Sequence, residues 1–77
     1  MIQPAEFAKH YNREDLIQAY EEIQAWRKTG LLKEDGIVRT LAKEVINPIE
    51  DISLLGMDLK IAERVIMDEI ARRYVAY

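Results

Sequence analysis

The chain's one histidine, His10, stands four residues from both Glu6 and Glu14, a spacing that on an unbroken helix stacks three metal-ligating side chains. An expected break at Asn12 spoils that alignment, so no metal site is expected there. No cysteine–histidine triad can be built around this histidine, because the chain has no cysteine. The one serine, Ser53, has no oriented base near it in sequence and makes a poor nucleophile. The three glycines are isolated, so there is no glycine-rich loop to cradle a phosphate. Two acidic pairs, Glu21-Glu22 and Asp68-Glu69, read as solvated helix faces, since paired catalytic carboxylates need a cleft that separates their pKa values. No catalytic residue, metal or cofactor is expected from these groups, and no small-molecule substrate is evident.

The second candidate chemistry is nucleic-acid binding. A short helix ending in Leu55-Gly56 and followed by a longer one has the general spacing of a helix-turn-helix from Pro48 to about Val65. Lys60 and Arg64 lie on one side of the second helix. Against this, Asp51 stands where a small residue commonly packs the two helices. The would-be recognition helix opens with Asp58, Ile61 and Glu63, which are poor phosphate contacts. The chain also carries a net charge of −3, whereas phosphate neutralisation dominates nucleic-acid affinity.

Positioning any of these groups falls to elements whose bounds are written in the sequence. Met57–Tyr77 is a long stretch without glycine or proline, and it reads as a helix from about Asp58 to about 76. At 100° per residue, Leu59, Ala62, Ile66, Ile70, Tyr74 and Tyr77 share one arc. Met67 lies at its edge, and Glu63 and Arg73 intrude. A second apolar line, Ile61, Val65, Val75 and Ala76, runs along the opposite side, with Arg72 inside it and Asp68 beside it. A helix packed on one side only should be polar there. The line is covered either by another helix of the same domain or by another chain.

Ahead of it, Asn12 caps a helix over about 13–28. Leu16, Ala19, Tyr20, Ile23 and Trp26 mark its inner face, and Glu14, Gln18, Glu21, Glu22, Gln24 and Lys28 its outer one. Gly30 supplies the left-handed stop, and Trp26 reads as a core or edge anchor. Asp35-Gly36 is a turn, after which Ile37, Val38, Leu41, Ala42, Val45 and Ile46 pair at helical spacing over about 36–46. Pro4 opens a short helix over about 4–11 that packs as a lid, with Phe7 and Tyr11 four residues apart. Asn47-Pro48-Ile49-Glu50 has the form of a capping box for a short helix over about 48–55, which Gly56 stops before Asp58 caps the last helix.

These 77 residues predict one all-α domain over 1–77, a compact small bundle of three main helices plus two short ones. Without cysteine its stability comes from helix packing, with or without oligomerisation. A 49% hydrophobic and 32% charged composition is that of an ordinary globular protein. No apolar run approaches the roughly 20 residues of a membrane span. The first residues lack the basic start and apolar stretch of a signal peptide, so a cytoplasmic protein is expected.

The function expected is a non-catalytic protein–protein interaction module, a small adaptor, regulator or inhibitor. Its contact surface is the outer line of the last helix: Ile61, Val65, Arg72 and Val75. The partner is another protein or a second copy. The alternative is a dimeric helix-turn-helix DNA-binding regulator using Lys60 and Arg64.

Overall fold

A computed structural model describes residues 3–47 and 56–75. Four helices follow in order: α1 (Pro4–Ala8), α2 (Arg13–Thr29), α3 (Ile37–Leu41) and α4 (Gly56–Tyr74). The helix of α3 runs on without interruption as a π-helical turn over Ala42–Ile46. Among the described residues there is no strand, and the protein is a small all-α bundle. The short helix expected over 48–55, with its Pro48 and Glu50 cap and Ser53, lies outside the described residues, as do Ala76 and Tyr77.

The start and stop of α2 follow from local chemistry. Asn12 Oδ1 accepts from the Asp15 amide at 2.8 Å, and the Asp15 carboxylate accepts from the Asn12 amide at 3.1 Å. Two amides that the helix cannot satisfy by itself are met reciprocally. At the other end Gly30 adopts φ 77°, the left-handed conformation that costs a glycine nothing, and its N–H donates to Trp26 O at 2.8 Å. Asn12→Ala should lower stability by about 1 kcal/mol in urea denaturation, and Asn12→Asp should restore most of it. Equal loss with both would show that the cap does not hold this end of α2.

The core forms where α2, α3 and α4 meet. Leu16, Ala19 and Ile23 from α2 pack with Val38 and Leu41 from α3, Ala42 from its π-helical continuation, and Ala62 and Ile66 from α4. Three of these eight residues are alanines, which let the backbones approach closely around five larger side chains. Each Leu, Ile or Val buried here contributes roughly 1.5–3 kcal/mol. Ala8 is buried too, and Phe7 and Tyr11 flank the core with their rings edge-to-face, centroids 5.7 Å apart. The expected lid is therefore present, and its helix ends at Ala8.

Two local departures from the sequence reading concern Asp58 and Asn47. Asp58 is helical, in the first turn of α4, and is not its cap. The π-helical turn ends with the Asn47 N–H donating to Ala42 O at 2.8 Å, and the Asn47 side chain donates from Nδ2 to Asp58 Oδ2 at 3.1 Å. Asn47 thus ties the end of the π-helical turn to the first turn of α4.

Candidate functional site

The outer line of α4 divides into a covered part and an open part. Val65 is half-buried and packs against the core, at the edge of a small recess of about 150 Å³ formed with Ala5, Lys9, Asp68, Glu69 and Arg72. Its position beside α1 fits the intramolecular explanation of the second apolar line. Ile61 and Val75 remain open, 39% and 63% exposed, and Met57 is open at the start of the same helix. Arg72 lies between them along the helix, its guanidinium bound to the Glu69 carboxylate. The open surface is an apolar strip interrupted by one cation, flanked by Arg64 and Asp68 at 4.0 Å from each other.

Neither of the candidate DNA contacts is isolated. Lys60 Nζ stands 5.8 Å from the centroid of the Trp26 ring, a cation–π distance that ties α4 to α2. Arg64 pairs with Asp68 on the same helix. Next to them Arg27 donates to Glu63 Oε2 at 3.0 Å, so the α2–α4 junction is lined with opposite charges. Trp26 is the half-buried edge anchor that its size implied.

The two acidic pairs are not the solvated faces they were read to be. One member of each is buried: Glu22 at 6% exposure, and Glu69 as deeply. Glu22 points inward from α2 and accepts from the Val38 N–H at 3.1 Å, with Gln18 Nε2 donating to its second oxygen at 2.9 Å. It caps the start of α3 from a different helix. The wheel of α2 places Glu22 on the outer face because it holds no trace of α3 packed beside it. An unmet helix N-terminus attracts a carboxylate inward.

Glu69 is buried on α4, in the recess beside α1, and its partners are arginines of its own helix. Burial alone pushes its carboxyl up, but hydrogen bonds from Arg72 and Arg73, and their charges, hold it below its ordinary value. Arg73 in turn donates from Nη1 to Tyr11 O at 2.7 Å, and from Nη2 to Lys9 O at 2.9 Å and Ala8 O at 3.4 Å. Arg73 thereby satisfies the Lys9 and Tyr11 carbonyls just past the end of α1, and adds a second donor to Ala8 O, which also accepts from the Tyr11 N–H. Its intrusion into the inner arc of α4 has this structural reason. The Tyr11 phenol is pushed up to about 12 by burial first and by the nearby Asp15, Glu22 and Glu44 charges second.

α1 ends at Ala8, so Glu6, His10 and Glu14 do not share a helix. Glu6 accepts from Lys9 at 2.9 Å instead. Among the described residues no group of three metal-ligating side chains gathers, and no helix is long and apolar enough to cross a membrane.

One concave surface is not assembled by the sequence reading. A groove of about 480 Å³ runs between α2 and the end of α4, lined by Arg13, Leu16, Ile17, Tyr20, Glu21, Ile70 and Tyr74. Ile17, Tyr20 and Tyr74 are each about half open to solvent. Tyr20 and Tyr74, both assigned to inner arcs, stand at the rim and not in the core. The available signal was Ile17, an apolar residue outside the inner arc of α2 and one turn from Tyr20.

No known protein family, curated protein or solved structure matches the chain.

Proposed function

We infer that this chain is a non-catalytic protein-interaction module, a small cytoplasmic adaptor, regulator or inhibitor, that meets a protein partner with the outer face of α4. The observation that supports the reading is the open pair Ile61 and Val75 on one side of a helix whose other side is packed, with Arg72 between them. Apolar side chains held on a rigid helix and bordered by charge are what a helix-face contact needs, since the apolar centre supplies affinity and the charged border supplies register.

Ile61→Gln and Val75→Ser remove the apolar strip without touching the core, whereas Val65 is left intact because it also packs internally. A photo-crosslinker placed at position 64 should join specific proteins to the parent chain. The doubly substituted chain, folded by circular dichroism, should lose those products at least tenfold. Identical products from both chains would refute the outer-face reading. A mobility shift with duplex DNA that weakens steeply with salt would replace it with the DNA-binding alternative.

A further inference from the structure

We propose that the groove between α2 and α4 is a self-interface, in which α2 of a second copy docks antiparallel with a twofold axis passing at Ile17. This surface is separate from the outer face of α4, and its test does not depend on that face having a partner.

The argument rests on charge and apolar groups along the exposed side of α2. Arg13 and Glu21 both line the groove, and Ile17 is midway between them, four residues from each. On a helix that spacing puts all three on one face, with about 12 Å along the axis from the cation to the carboxylate. Among the described residues neither Arg13 nor Glu21 forms an ion pair.

A strip that reads cation, apolar, anion is its own complement when reversed. In an antiparallel pair centred on Ile17, Arg13 of one copy meets the second copy's Glu21, and Glu21 meets the second copy's Arg13. The two Ile17 side chains come together between these ion pairs. The same axis brings Tyr20 opposite the second copy's Glu14, a hydroxyl donor beside a carboxylate. A parallel pair would instead set arginine against arginine and glutamate against glutamate, so the charges select one orientation. Such an interface is isologous and closes at two subunits. Tyr20, Ile70 and Tyr74 supply the apolar walls, and half-exposed tyrosines suit a contact that is wet in the monomer and buried in the pair.

Charge exchange tests this arrangement. Sedimentation equilibrium of the parent chain from about 1 μM to about 1 mM should show a monomer–dimer equilibrium. Arg13→Glu alone places like charges at both contacts, as does Glu21→Arg alone, and each should weaken the dimer by about tenfold or more. An equimolar mixture of the two single variants restores opposite charges at both contacts, as does the double variant R13E/E21R. Both should return to within about threefold of the parent. Both positions are exposed, and a glutamate in the first turn of α2 is favourable, so the variants should fold, which circular dichroism checks.

A parent chain that stays monomeric throughout overturns the proposal, even if the groove then captures a helix of another protein. A dimer indifferent to the exchanges, or one lost on Ile61→Gln, places self-association on a different face and overturns it equally. Recovery in the mixture of single variants is the outcome that supports the antiparallel register.

Discussion

Gly36→Ala should cost about 2 kcal/mol, although the backbone at this position suits alanine. Gly36 has φ −80° and ψ 170°, extended values that any residue adopts, so there is no conformational strain to invoke. The obstacle is space. A methyl group here would lie 2.6 Å from Glu22 Oε2, and closer still to Cδ and Oε1. The carboxylate is the end of a flexible chain and can swing away, but it then leaves the Val38 N–H that it caps and gives up the amide of Gln18. The loss is thus one of hydrogen bonding and not of overlap.

That distinction can be measured. Glu22→Ala alone should cost a similar amount by stranding the same N–H. Adding Gly36→Ala to Glu22→Ala should cost almost nothing more, because the space is already vacant. A coupling of about 1–2 kcal/mol in the double-mutant cycle, read from urea denaturation, is therefore expected. Strictly additive losses would show that Glu22 is not what requires a glycine at this position.

The same pair of residues shows where the sequence is legible and where it is not. Asn12 and Gly30 declare the ends of α2 because each acts on its own backbone, within three or four residues. Helical pairing in Ile37–Ile46 likewise reports a buried helix, although not that its last turn widens into a π-helix. Glu22 acts on a helix that begins fifteen residues later, and Arg73 acts on carbonyls more than sixty residues earlier. No periodicity records such contacts. A wheel carries no record of contacts between helices, so it leaves Glu22 on the outer face and draws Tyr20 and Tyr74 into the inner arcs. The groove is lost for the same reason, since Ile17, Tyr20 and Tyr74 converge only after α2 and α4 are packed. Ile61 and Val75, by contrast, are visible on the wheel as apolar residues opposite the packed arc. The outer-face proposal starts from them.

Arg73→Met should destabilise the protein by about 2–3 kcal/mol at neutral pH, and that loss should shrink in acid. Methionine preserves the aliphatic volume, so the effect isolates the guanidinium. Two things are lost with it. The carbonyls of Lys9 and Tyr11 lose their donor, and the buried Glu69 carboxylate keeps only the more exposed Arg72 as a partner. The first loss does not depend on pH, but the second does. Glu69 titrates below its ordinary value of 4.5 in the folded protein, because the arginine contacts outweigh the upward push of burial. A depressed carboxyl stabilises the fold fully above the unfolded value, and that contribution drains away as pH falls through the folded one.

The parent chain should therefore weaken below about pH 4.5 more steeply than the Arg73→Met variant, whose Glu69 is depressed less. The two stability curves converge in acid, leaving a residual gap of about 1 kcal/mol from the unmet carbonyls at the end of α1. Chemical denaturation at about pH 7 and about pH 3 measures both gaps. If they are equal, Arg73 holds α1 through its carbonyl contacts alone, and its ion pair with Glu69 contributes nothing to folding. If the gap narrows, the charge on Glu69 is part of what fastens α1 to α4. Acid should then loosen α1 first, uncovering Val65 and lengthening the apolar strip between Ile61 and Val75.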